Sequence, residues 1–157
     1  MKWRSKTKTV EERTVLFVDD DEMVLQSLER GLLDEPYNKL FAKSGKEALE
    51  ILQREEVHVI VTDMCMPEMT GLELLRIVRK EYPHTICMVL SGYTQDPNLQ
   101  KAVYQGEIFS LIPKPWKLGV VHFEAIVQRA VDYYNLQSEH VQSGGRKLEQ
   151  CKVKLKK

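Results

Sequence analysis

Residues 59–71 read Val-Ile-Val-Thr-Asp-Met-Cys-Met-Pro-Glu-Met-Thr-Gly, and no other stretch constrains the fold as much. An apolar run of strand length stops at a carboxylate, Asp63. Pro67 and Gly71 then break the chain before an amphipathic segment begins. In an open α/β sheet, ligands bind outside the carboxyl ends of the strands, so a carboxylate there is placed for chemistry rather than packing. Three more polar signals follow apolar runs in the same way: Asp19-Asp20-Asp21, Ser91-Gly92 and Lys114-Pro115.

The chain alternates short apolar runs with stretches of helical periodicity. Val15–Val18 is a predicted strand, and Val24, Leu25, Leu28 and Leu32 then recur at helical spacing up to Gly31 and Pro36. Lys39–Ala42 is a weaker second strand. Ser44 with Glu47 three residues on predicts a capping box, and Ala48, Leu49 and Leu52 continue that helix. Val57–Thr62 is the third strand. A helix with Leu72, Leu75 and Val78 opens at Gly71 and stops before Pro83; Ile86–Leu90 is the fourth strand. A short helix over 95–105 and a fifth strand over 108–112 follow. The last helix is expected to start near Trp116, to carry Phe123, Ile126, Val127, Ala130, Val131 and Tyr134, and to run toward His140, farther than a five-stranded sheet needs. Strands alternating with helices predict βαβ units and a parallel sheet covered on both faces. The intervals of 43 residues from Asp20 to Asp63, 28 from Asp63 to Ser91 and 23 from Ser91 to Lys114 bring the ends of strands one, three, four and five to one edge.

The 157 residues suit one domain with little room for a second. No apolar run approaches the roughly 18 residues that span a bilayer. Lys2, Arg4, Lys6 and Lys8 lack an apolar segment behind them, so they do not make a secretory signal. Cys65, Cys87 and Cys151 are odd in number and lack metal-type spacing, which fits a reduced, cytoplasmic setting. The net charge of zero conceals basic ends: four basic groups in residues 1–10, and six against Glu149 in residues 146–157. Between those ends lie 13 basic and 22 acidic residues, so the body stands at −9. Basic tails can signal nucleic acid or a membrane surface, but solvated ends are the preferred reading.

Asp19, Asp20 and Asp63, once gathered, bring like charges together, and a hard divalent cation offsets their repulsion. Mg2+ takes oxygen ligands and is commonly held by one or two carboxylates with waters and a phosphoryl oxygen. Asp63 is then placed as a nucleophile, since carboxylates form aspartyl-phosphates. Lys114 would supply positive charge to a phosphoryl oxygen, and Ser91 a hydroxyl on the opposite side. Gly92 leaves the backbone room to approach, and Pro115 fixes the chain where the Lys114 amine must point.

The acidic pair Asp19-Asp20, the segment from Asp63 to Gly71, Ser91-Gly92 and Lys114-Pro115 resemble, in type, order and spacing, the receiver domain of two-component response regulators. The resemblance covers roughly residues 13–135, with a basic extension over 1–12 and a helical extension and basic tail or linker over 136–157. It implies a five-stranded, doubly wound, flavodoxin-like parallel sheet of order 2-1-3-4-5 with an extended C-terminal helix. It implies Asp63 as phosphoacceptor, Mg2+ held by Asp19, Asp20, Asp63 and the Cys65 backbone carbonyl, Ser91 as the hydroxyl switch and Lys114 as the active-site lysine. A sensor histidine kinase or phosphotransfer protein would be the partner. The resemblance implies a switch rather than an enzyme, with the fourth helix, fifth strand and last helix as the responding surface and homodimer interface. The family often has an aromatic residue three before the lysine; here Leu111 stands there, with Phe109 two further back, so these two are the switch candidates.

Blander readings stand beside these. Asp21 is expected to be a helix N-terminal acid, not a third ligand. Cys65 and Cys87 read as small, partly buried groups, and His58, His84 and His122 as structural or surface residues. Tyr93 flanks the site entrance or is a plain surface aromatic; Trp116 reads as packing. The rival function is an interaction module dimerising constitutively through the last helix, with vestigial phosphorylation. A phosphohydrolase would need a second acid two residues past the nucleophile, where Cys65 stands. Residues 146–157 are too short for a DNA-binding fold.

Overall fold

Runs of Val, Ile and Leu that alternate between two covered faces leave a strand almost no contact with water, and three such strands form the middle of this protein. The computed structural model describes residues 12–92, 95–113 and 120–143. Its strands are β1 (Thr14–Val18), β2 (Asn38–Ala42), β3 (Val59–Asp63), β4 (Ile86–Ser91) and β5 (Ser110–Pro113). Its helices are α1 (Glu22–Gly31), α2 (Gly45–Arg54), α3 (Gly71–Glu81), α4 (Pro97–Tyr104) and α5 (Val120–Ser143). Every strand pairing is parallel, and the order is β2-β1-β3-β4-β5. The expected doubly wound sheet is therefore found. β3 and β4 are buried along their whole length, which is why their apolar runs are unbroken.

Two apolar layers sandwich the sheet. Leu25 and Leu28 from α1, Leu32 at its C-cap, and Val127, Ala130 and Val131 from α5 pack on one face. Ala48, Ile51 and Leu52 from α2, Leu74, Leu75 and Val78 from α3, and Leu99 and Ala102 from α4 pack on the other. α5 has 24 residues and is thus about 36 Å long. A five-residue strand spans about 17 Å, so the helix does outrun the sheet. Arg13, 4% exposed, holds it from the start of β1: its Nε donates to Asn135 Oδ1 at 2.5 Å, and its guanidinium lies 4.8 Å from the Tyr134 ring centre.

Local chemistry moves several expected boundaries. β3 begins at Val59, not Val57, because His58 is spent on β1: its backbone N donates to Thr14 O and its Nδ1 accepts from Thr14 N at 2.9 Å. His58 is thereby structural, as expected. β5 begins at Ser110, not at Ile108, because Ile108 N still bonds to Ala102 O in the turn that closes α4, with Gly106 at φ +81°. Ser44 does cap α2, accepting from Glu47 N at 3.0 Å. The Glu47 carboxylate accepts from Lys43 N instead of Ser44 N, so the reciprocal half of the expected box is displaced by one residue. A complete capping box sits at α3, where Thr70 Oγ1 accepts from Glu73 N and Glu73 Oε1 accepts from Thr70 N. The tripeptide spacing of Thr70 and Glu73 carried that signal.

Candidate functional site

In the 2-1-3-4-5 order the chain reverses direction across the sheet between β1 and β3, which opens a crevice at their carboxyl ends. Val18 pairs with Thr62, so the register sets Asp19 beside Asp63 on strands about 4.8 Å apart. Asp19 N continues the ladder to Ala42 O at 3.1 Å, which fixes the backbone just where β1 ends. One carboxylate oxygen from each of Asp19, Asp20 and Asp63 lies within 4.8 Å of the others. Asp19 is 1% exposed and Asp63 7%, whereas Asp20 is exposed. Two buried acids thus form the floor of the crevice and a third forms its lip.

Such a cluster is electrostatically costly in isolation. Like charges at about 5 Å repel by about 3 kcal/mol per pair at an effective dielectric of about 20. Oxygen donors alone, converging at this separation and open to water on one side, are the donor set that a hard divalent cation uses. The residues present therefore fit Mg2+. Asp19 is also held in place, since its Oδ1 accepts from Asp21 N at 2.9 Å. Asp21 turns its carboxylate away, capping α1 through Met23 N at 2.9 Å, in keeping with its expected role as a helix N-terminal acid.

Ser91 closes β4 and is 5% exposed; Leu90 before it pairs with Asp63 in the register. Pro113, the last residue of β5, pairs with Ser91. Lys114, Pro115 and Trp116 lie outside the described residues, as do Tyr93, Cys151, the two basic ends and the side chain of His122. Leu111 packs on the α2–α4 face of the sheet. Phe109 precedes β5 and packs on the other face, its ring centre 5.3 Å from that of Tyr133 on α5. The two switch candidates therefore face opposite layers. Gly92 is exposed, and a Cβ there would meet nothing within 4 Å among the described residues.

The β3–α3 loop carries Cys65, which is exposed, between methionines that anchor in the core: Met66 is buried, and Met64 and Met69 pack against the same cluster. Met64 N donates to Leu90 O at 3.2 Å and Met64 O accepts from Gly71 N at 2.8 Å, which pins the loop at its start and its end. Gly71 sits against the strand terminus so closely that a Cβ would lie 2.1 Å from Asp63 O. In the sequence Gly71 reads as a chain break and helix opener that closes the segment begun by Asp63, and nothing there signals its close approach to the Asp63 backbone. Within the loop, Met69 N donates to Pro67 O at 2.7 Å across Glu68, whose φ is +70°. That is a γ-turn in the left-handed region, which a residue with a Cβ occupies at a cost of about 1–3 kcal/mol. Glu68→Gly is accordingly expected to raise stability by about 1 kcal/mol in urea denaturation, and a destabilised variant would show that the turn is unstrained. Cys87 is buried in β4, and burial pushes its thiol up to about 12, so it stays protonated and unreactive.

Residues 15–125 match the model of the response regulator receiver domain family. The chain is 37% identical over 126 residues to the hydrogenase transcriptional regulatory protein HoxA of Cupriavidus necator, a match covering 80% of this chain and 26% of that protein. It is 30% identical over 125 residues to the DNA-binding transcriptional regulator NtrC of Escherichia coli, covering 80% of this chain and 26% of NtrC. Among solved structures it is similar to the signal receiver domain of an HD domain-containing protein from Pseudomonas fluorescens, with a TM-score of 0.72 and 31% identity over 78% of this chain and 97% of that one. The chain thus spans about a quarter of the length of these two regulators.

Proposed function

This chain belongs to the response regulator receiver domain family of two-component systems, and on that premise we propose that Asp63 is its phosphoacceptor. As a receiver it is a phosphoacceptor switch rather than an enzyme turning over an external substrate. The observation that carries the proposal is the convergence of Asp19, Asp20 and Asp63 within 4.8 Å at the strand ends. Asp19 and Asp20, with Asp63 and the Cys65 carbonyl, would hold Mg2+. The positive charge supplied there by bound Mg2+ offsets the approach of an anionic phosphoryl group to a carboxylate.

A histidine kinase or phosphotransfer protein presents the phosphoryl group on an imidazole nitrogen. Asp63 attacks phosphorus, the P–N bond breaks as the O–P bond forms, and the histidine leaves. Lys114 and Ser91 hold phosphoryl oxygens after transfer. The domain's own chemistry then includes slow hydrolysis of the aspartyl-phosphate, with water as the attacking group. Phosphorylation shifts the population of two pre-existing packings of α4, β5 and α5. Tyr104 on α4 and Leu136 on α5 are 92% and 56% exposed, so this surface has apolar groups to offer a second copy or an output partner.

The test is the intact mass and the elution volume of the protein with a small phosphodonor, with and without Mg2+. One added phosphoryl group only when Mg2+ is present, with a change in elution, is the expected result. A dimer of unchanged size and no added mass would favour the constitutive interaction module instead. No helix among the described residues is long and apolar enough to cross a membrane.

A further inference from the structure

We infer that Gly45, the first residue of α2, is a positioning residue for the metal and phosphoryl site, acting through Met69 of the β3–α3 loop. The inference rests on the reading of Asp63 and Cys65 proposed above. A Cβ built on Gly45 would lie 2.6 Å from Met69 Sδ and 3.2 Å from both Met69 Cβ and Cγ. The whole stem of the Met69 side chain therefore lies along bare backbone at the start of α2, not merely its tip. Gly45 is itself buried. Its backbone is not left-handed; among the described residues Gly106 is the glycine with positive φ. Conformation does not demand glycine here, and alanine is the better helix former. Space for Met69 is what demands it.

The contact reaches the site through the loop's own bonds. Met69 N is bonded to Pro67 O, so Met69 cannot move without moving the turn at Glu68. Met66 is buried in the core one residue before Pro67, and Cys65 lies between Met66 and the pinned Met64. β4 and α3 grip the two ends of the loop through Leu90 and Gly71, and α2 supplies the third support at its middle. Crowding that support pushes the turn away from α2 and with it the segment that presents the Cys65 carbonyl beside Asp63. Supports of this kind around a metal site typically change affinity by about 10–100-fold when lost.

The experiment compares the full chain, Gly45→Ala, and Gly45→Ala combined with Met69→Ala, where two methyl groups share the space. Amide hydrogen exchange of residues 64–70 is followed in the metal-free proteins, and Mg2+ affinity is measured by titration. Gly45→Ala is expected to bind Mg2+ about tenfold more weakly and to exchange faster over 64–70. Its phosphoryl uptake should lag at low Mg2+ and return to the wild-type rate at saturating Mg2+. The double variant should recover the affinity. Unchanged affinity and exchange in Gly45→Ala, or a double variant as weak as the single one, overturns the inference. Should Gly45→Ala fail to fold, Met69→Ala alone loosens the same support, and wild-type exchange and affinity in that variant would be equally fatal. If the wild-type chain takes up no phosphoryl group, the proposed function fails, while the exchange rates still decide whether Met69 is seated on Gly45.

Discussion

Asp63→Asn is expected to take up no phosphoryl group from any donor, at any Mg2+ concentration. The substitution keeps the shape of the side chain and replaces the attacking carboxylate with an amide that is not a nucleophile at phosphorus. Loss of transfer should be complete within detection, because the alternative acceptors are poorly placed. Asp19 is tied to Asp21 N at the floor of the crevice, and Asp20 sits at its solvent-facing lip. The same change removes one of three like charges gathered within 4.8 Å. The metal-free variant should therefore unfold at the same or a higher urea concentration than the wild type, by about 1 kcal/mol. Phosphate uptake and stability are thus expected to move in opposite directions. A variant that lost uptake and stability together would point to damage to the fold and leave the acceptor unassigned. Intact mass after incubation with donor, alongside urea denaturation, reads both effects.

Gly71→Ala should be the most damaging alanine substitution among the described glycines. The added carbon would sit 2.1 Å from Asp63 O and 3.0 Å from Met64 Cα. Those are backbone atoms of the strand terminus and of the loop that follows it. No side-chain rotation relieves the clash, so either α3 retreats or β3 bends. Overpacking of this kind costs about 3 kcal/mol, which for a domain of this size lowers the melting temperature by about 10 °C. Because the displaced atoms belong to Asp63 itself, phosphoryl uptake should fall even at temperatures where the variant is folded. A melting temperature within about 2 °C of wild type would mean that α3 docks less tightly than the structure describes.

The sheet and the acidic floor were legible because one pattern specified both. Apolar runs buried on two faces mark parallel strands, parallel strands in a doubly wound sheet deliver their carboxyl ends to one edge, and the acids follow those runs. The register from Val18 to Thr62 then converts two sequence positions 44 residues apart into neighbours. What sequence concealed were the places where a side chain or turn claims a backbone group. His58 carries strand-like neighbours, yet its bonds to Thr14 delay β3. Phe109 and Leu111 are two apart, a spacing that puts residues on one face of a strand. The turn after α4 holds Ile108 out of β5, and the Phe109 and Leu111 side chains end in opposite layers. The left-handed Glu68 was illegible for a simpler reason: glutamate carries no turn signature, and only the bond from Met69 N to Pro67 O reveals it. Gly45 read as an ordinary residue after a cap, because what it makes room for lies 24 positions along the chain in a loop.

The most direct test is reductive trapping of the acyl phosphate in the wild-type protein after exposure to a small phosphodonor with Mg2+, followed by peptide mapping. The modification should fall on Asp63 alone and disappear when Mg2+ is chelated. Trapped label on Asp19, on Asp20 or outside the segment from Asp63 to Gly71 would contradict the assignment of this crevice as the phosphoryl-accepting site.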